Sequence, residues 1–161
     1  MPACGKSRIG RHLAKKIHVR FVDLDKQIIA AEQKTITQIF AEKGENYFRE
    51  LEKKHLLEIS QTTENTVVSV GGGAPCFYDN MQAMLSCGTI FYLNTPVEIL
   101  LQRIQKTGKR PIFTALSADE AKQKLHSLLL DREKFYLQAH HKIDTEKKSD
   151  ETILTEIISF L

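Results

Sequence analysis

Gly5, Lys6 and Ser7 carry the most definite chemistry in this chain, because G-K-[ST] closes a phosphate-binding loop. In the full pattern G-x-x-x-x-G-K-[ST], backbone N–H groups wrap nucleotide phosphates, the lysine reaches the outer phosphates and the hydroxyl ligates Mg²⁺. The pattern places its first glycine one residue before Met1, with a buried strand ahead of it, so only the back half of the loop is expected here. A triplet of this kind also arises by chance. Its context favours function: Ile9, Leu13 and Ile17 form one helical stripe directly after Ser7, which sets the loop at a helix N-terminus, where N–H groups and the helix dipole favour an anion.

Other residues suit the same chemistry. Asp23 and Asp25 end an apolar run, and strand alternation points both to one side, toward the loop. Two carboxylates there suit Mg²⁺ and a hydroxyl substrate; alternatively, one of them only caps the next helix. Gly71-Gly72-Gly73 follows a second apolar run and offers unobstructed backbone N–H groups to a small ligand, or forms a plain turn. Arg49 and Glu52, three residues apart, share a helical face and alone read as a solvated pair. The stretch from Arg103 to Pro111 gathers Arg103, Lys106, Lys109 and Arg110 around Gly108. It reads as a phosphate-closing lid or as a charged surface loop. Arg132 is the least distinctive of these arginines.

The elements that must position these groups alternate between β-like and helical patterns. Phe21 to Leu24, Thr66 to Val70, Thr89 to Leu93 and His141 to Ile143 read as short strands. Helical stripes run through Ile28 and Ile29, through Ile36, Ile39 and Phe40, and through Phe48, Leu51 and Ile59, with Gly44 separating the last two. A helix opened by Pro96 carries Leu100, Leu101 and Ile104; periodicity lapses over 106–118. A long helix then runs from Ala118 to about Ala139, and Ile153, Leu154, Ile157 and Leu161 mark a closing one. Strands alternating with helices imply an α/β fold with a parallel sheet, whose ligands gather at the carboxyl ends of the strands.

Composition narrows the classes. A chain of 161 residues with 42% apolar and 27% charged residues suits one globular domain. With 23 basic and 20 acidic residues it lacks the basic excess of a nucleic-acid binder. No apolar run approaches a membrane span, and Met1 leads into a loop motif instead of a signal segment. Cys4, Cys76 and Cys87 match neither a zinc site nor a redox pair. A cytoplasmic location is expected.

Taken in order, GKSRIGRHLA, FVDLD, IFAEKGENYFRELE, VGGGAP, the Arg103 and Arg110-Pro111 spacing, and DREKFY resemble the shikimate kinase family over nearly the whole chain. The resemblance implies a three-layer α/β/α P-loop kinase fold of the nucleoside-monophosphate-kinase type. The family's sheet has five parallel strands, of which the first, central one is expected to be absent here. It implies substrate-binding helices at about 34–60 and a lid at about 107–118. The implied activity is transfer of the ATP γ-phosphate to the 3-hydroxyl of shikimate, in the route to chorismate and the aromatic amino acids, by a monomer using ATP and Mg²⁺.

Carried over residue by residue, the resemblance makes Lys6, Asp25 and Arg110 catalytic, with Asp25 as candidate base. It assigns Cys4, Gly5, Lys6, Ser7, Arg8, Arg103 and Arg110 to the nucleotide and Ser7 and Asp23 to Mg²⁺. Asp25, Arg49, Gly71, Gly72, Gly73 and Arg132 fall to shikimate, with the two arginines on its carboxylate and Glu52 orienting Arg49. Ala3, Arg8 and Pro111-Ile112-Phe113 depart from the usual family residues. Two other functions are open: a different small-molecule P-loop kinase, such as a gluconate kinase, and a truncated, non-catalytic P-loop domain.

Overall fold

The computed structural model describes residues 1–107, 113 and 116–161. In chain order the elements are α1 (Lys6–Lys16), β1 (Arg20–Asp23), α2 (Leu24–Glu32), α3 (Ile36–Ser60), β2 (Thr66–Ser69), a 3₁₀ turn (Ala74–Cys76), α4 (Asn80–Cys87), β3 (Phe91–Asn94), α5 (Val97–Thr107), α6 (Ala118–Tyr136), β4 (His141–Asp144) and α7 (Asp150–Ile158). All four strands read from the sequence form, each within about two residues of its expected ends. They pair in parallel as β1 with β2 and β3 with β4. Parallel neighbours need long crossovers, and here helices supply them: α2 and α3 in the first pair, α5 and α6 in the second.

Local sequence explains where the helices start and bend. Thr35 with Gln38, and Ser117 with Glu120, form reciprocal capping boxes that satisfy exposed N–H groups at the starts of α3 and α6. Gly44 takes φ 80° and ψ 174° inside α3, which breaks the helix where the sequence pattern requires it. Without a Cβ, Gly10 lets α1 lie close on the first strand pair; an added one would stand 2.9 Å from the Phe21 ring and 3.5 Å from Val67.

Two corrections concern segments beside the catalytic region. Leu24 does not extend β1, because Asp23 accepts the Lys26 N–H at 3.3 Å and so caps α2. Asp25 therefore lies on the first turn of a helix, and strand alternation does not govern where it points. Helix α4 was not expected at all. Its apolar residues, Met81, Ala83, Met84, Leu85 and Cys87, form no single buried stripe, only Met81 among them being buried, and it is held by tertiary contact: buried Asn80 donates to the Ala74 carbonyl at 2.9 Å.

Two apolar clusters hold these elements in place. Ile9, Leu13, Leu100, Leu125, Ile143 and Ile153 belong to one, which joins α1, α5, α6 and α7 to the second strand pair. Leu24, Ile28, Ile39, Phe48 and Leu51 belong to the other, which locks α2 against α3. Between the strand pairs a crevice of about 70 Å³ is lined by Met1, Cys4, Lys6, Gly71, Leu93 and Tyr136, among others. No helix among the described residues is long and apolar enough to cross a membrane.

Ile28 and Ile29 test the second cluster. Ile28 is fully buried, whereas Ile29 is 37% exposed. Ile28→Ala should destabilise the protein by about 2–5 kcal/mol through lost burial and a residual cavity. Ile29→Ala should cost about 1 kcal/mol or less. Chemical denaturation midpoints measure both.

Candidate functional site

Two groups of side chains meet at the carboxyl ends of β1 and β2. The first surrounds the start of α1. Gly5 is the N-cap of that helix at φ 96°, and its carbonyl accepts the N–H groups of Arg8 and Ile9 at 3.1 and 2.9 Å. An L side chain is strained in that backbone region, so the glycine is structurally required. Ala3 also takes a left-handed φ, 57°, a region that glycine enters more readily than alanine.

Cations crowd this turn. Lys6 Nζ donates to the Met1 carbonyl at 3.1 Å and stands 3.9 Å from Cys4 Sγ. Burial disfavours a Cys4 thiolate, but Lys6, the Met1 amino group and Arg103 together outweigh it and hold the buried thiol below its ordinary range. Arg103, reaching from α5, donates to the Ala3 carbonyl at 3.2 Å. Arg8 pairs with Asp150 at 2.8 Å, at the start of α7. The guanidinium groups of Arg103 and Arg8 each lie 3.9 Å from where a Cβ on Gly5 would stand, so they flank the turn.

Ser7 faces the first strand pair, its hydroxyl 3.3 Å from that of Ser69. Ser69 ends β2 directly beside Asp23 in the strand register. The Ser7 and Ser69 hydroxyls thus meet, with Asp23 beside Ser69 in the register and its carboxylate also capping α2; oxygen donors of this kind suit Mg²⁺ completed by water and phosphate. Ser69 was not anticipated. A polar residue closing an otherwise apolar strand was its only signal.

The second group packs around Gly71-Gly72-Gly73. Arg49 is 7% exposed and Glu52 1%, so they are no solvated surface pair. Arg49 Nη1 donates to Glu52 at 2.5 Å, Nη2 donates to Glu45 at 2.7 Å, and Nε donates to the same Glu45 oxygen at 3.1 Å. The Phe77 ring lies under the guanidinium, 4.0 Å away. Burial alone would weaken the Arg49 charge; Glu52 and Glu45 outweigh it and hold the group above its ordinary range. Burial likewise pushes the Glu52 carboxyl up, against the pull of Arg49, and nearby Asp25 adds to the push.

The glycines are spaces for these groups. A Cβ on Gly73 would stand 2.6 Å from Arg49 Nη1. One on Gly71 would stand 2.8 Å from Glu52 Oε1 and 3.1 Å from Asp25 Oδ1, and one on Gly72 would be 3.6 Å from Arg132 Nη1. The triple glycine is therefore the meeting point of Asp25, Arg49, Glu52 and Arg132, not a plain turn. Sequence reasoning brought these residues together through a resemblance; the structure does so through contact. Arg110 and Lys109 lie outside the described residues, as does most of the expected lid at 107–118. Glu45 and Tyr136 were missed, although each stands four residues from an arginine already singled out.

Comparison with known proteins gives a single result. The family model described as Shikimate kinase matches residues 2–161. The chain is 40% identical to a shikimate kinase of Persephonella marina over 154 residues, covering 96% of this chain and 90% of that protein. It is 39% identical to one of Parabacteroides distasonis over 158 residues, covering 98% and 91%. Among solved structures, shikimate kinase from Bacteroides thetaiotaomicron superposes with a TM-score of 0.92 at 35% identity, covering 98% of this chain and 92% of that one. Shikimate kinase from Acinetobacter baumannii in complex with shikimate gives 0.89 at 33% identity, covering 99% and 88%. The likeness includes the three-layer α/β/α architecture of a P-loop kinase.

Gly73→Ala isolates the clearance around Arg49. The φ of Gly73, −89°, is open to alanine, so the cost arises from the clash alone. We expect a loss of about 1–3 kcal/mol, as for overpacking elsewhere, read from thermal or chemical melting. Gly72→Ala, whose nearest contact is 3.4 Å, should cost less.

Proposed function

The chain belongs to the shikimate kinase family, and from that we propose that it transfers the γ-phosphoryl group of ATP to the 3-hydroxyl of shikimate, on the route to chorismate and the aromatic amino acids. One observation carries the reading: Asp25, Arg49, Arg132 and the Gly71–Gly73 turn converge beside the loop of Gly5, Lys6 and Ser7. A cationic phosphate cradle adjoins a pocket rich in carboxylate and guanidinium groups.

In this reading each group has one task. The Gly5 turn and Lys6 hold the outer phosphates of ATP, with Arg8 and Arg103 flanking the nucleotide and Cys4 lining the loop. Ser7 and Asp23 would hold Mg²⁺, which when bound neutralises phosphate charge. Arg49 and Arg132 grip the shikimate carboxylate, for which the planar guanidinium fork is the matching donor geometry. N–H groups of the glycine turn hold a hydroxyl. Asp25 takes the proton of the 3-hydroxyl as its oxygen bonds to Pγ; the bond from Pγ to the β–γ bridging oxygen breaks, and ADP leaves.

Arg110, assigned by sequence order alone, would stabilise the transferring phosphoryl from a lid spanning about 107–118. The chemistry needs chiefly alignment and charge stabilisation, so dispersed cations suit it. Action as a monomer in the cytoplasm completes the proposal.

A coupled ADP-release assay with Mg-ATP should respond to shikimate and not to gluconate; the reverse would reject the reading. The two halves should also separate kinetically. Lys6→Ala should lower kcat by about two orders of magnitude or more, because it removes charge that matters most in the transition state. Arg132→Ala should raise the KM for shikimate roughly tenfold or more while leaving that for ATP nearly unchanged.

A further inference from the structure

Three consecutive glycines have more conformational freedom than any other tripeptide, so something outside them must fix which way their peptide units face. The backbone supplies part of the answer. The Gly71 carbonyl accepts the Ala74 N–H at 3.1 Å, and the Gly73 carbonyl accepts the Cys76 N–H at 2.8 Å. The Gly72 carbonyl is held differently: the Tyr136 hydroxyl donates to it at 2.6 Å. Tyr136 is 7% exposed, and its ring lies against Tyr92 with centroids 5.1 Å apart. The hydroxyl also lies 3.9 Å from Met1 Sδ. Burial pushes the phenol well above its ordinary range, so it stays a donor across the neutral pH range.

A peptide unit is planar and trans, so its C=O and the following N–H point in opposite directions. Holding the Gly72 oxygen therefore aims the Gly73 N–H away from Tyr136. Tyr136 also stands one helical turn after Arg132 on α6. One rigid helix thus sets both the guanidinium beside Gly72 and the orientation of the next peptide unit.

We propose that Tyr136 is a positioning residue for the acceptor: by fixing the Gly72–Gly73 peptide unit it aims the Gly73 N–H at a substrate hydroxyl, at a set distance from Arg132. The inference rests on the shikimate kinase reading above. It adds a residue that touches no substrate yet governs recognition of one hydroxyl.

Tyr136→Phe keeps the ring and removes the hydroxyl, which donates to Gly72 and also meets the Arg132 side chain, so the shikimate KM alone does not separate the two partners. Its KM for shikimate should rise about tenfold, with the KM for ATP unchanged and kcat within threefold. Deoxy analogues of shikimate, each lacking one hydroxyl, give the decisive arm. For the analogue lacking the hydroxyl that Gly73 serves, wild type and Tyr136→Phe should have the same dissociation constant, which is measured by binding for every analogue because the 3-deoxy compound accepts no phosphoryl. For the other analogues the tenfold difference should persist. An unchanged shikimate KM, or an equal penalty on every analogue, would overturn the assignment while wild-type turnover leaves the shikimate reading standing. If wild type does not turn over shikimate, that reading falls and this inference with it. Should Tyr136→Phe fold poorly, the amide spectrum of the ¹⁵N-labelled wild-type chain decides: shikimate should shift the Gly73 amide signal, and no shift would overturn the proposal.

Discussion

The buried Arg49 guanidinium is the constraint that the acceptor half is built around. A charge at 7% exposure is strongly destabilising unless it is paired and hydrogen-bonded. Glu52 and Glu45 supply the pairing, and Phe77 supplies a flat partner beneath the plane. Other features follow from meeting those needs. Gly44 breaks α3 so that a fresh helical segment begins at Glu45, one turn before Arg49. Gly73 must lack a side chain to let the guanidinium pass, and Gly71 must lack one to admit Glu52. Of the five N–H donors on a guanidinium, three are engaged by these carboxylates among the described residues. Two are left, which in the proposed reading meet a bidentate anion.

Charge balance then indicates how such a pocket discriminates. Around the glycine turn stand two arginines, Arg49 and Arg132, and three carboxylates, Glu45, Glu52 and Asp25. Among these described groups positive charge is not in excess, so in the proposed reading their net attraction does not explain the capture of an anion. Directional donors do: the spare edge of one buried fork, a second guanidinium, and backbone N–H groups held at fixed angles. Selectivity should follow shape and hydrogen-bond pattern more than charge. The nucleotide half differs, because Lys6, Arg8 and Arg103 cluster around Gly5, where a polyphosphate carries several charges.

Much of this could be read from the sequence, and the exceptions have physical causes. Apolar periodicity located all four strands and most helices, because burial of one face leaves a spacing signal. It failed at α4, whose start is held by an asparagine bound to a backbone carbonyl, a contact with no periodicity. It misplaced Asp25, because a short strand and the first turn of a helix look alike until the cap is known. Spacing alone also suggested that Arg49 and Glu52 were solvated. Only the surrounding tertiary packing reveals their burial. The glycine turn was ambiguous for a related reason: the need for glycine arises from side chains that arrive from α2, α3 and α6.

Phosphoryl transfer requires the acceptor oxygen, the γ-phosphorus and the leaving oxygen to stand nearly in line, and small misplacements are costly. The register of one strand pair meets that demand. Asp23 and Ser69 face each other at the ends of β1 and β2, and Ser69 meets the Ser7 hydroxyl. Two residues further along each chain come Asp25 and Gly71, which meet each other. The phosphate side and the acceptor side are therefore separated by two residues on each of two hydrogen-bonded neighbours, not by a long chain of flexible contacts. A shift of one residue in this pairing would send Ser69 to the opposite face of the sheet and carry Gly71 away from Asp25. Val22, buried between Phe21 and Asp23, resists that slip. Fidelity of the reaction geometry is thus tied to the same apolar burial that holds the strands together.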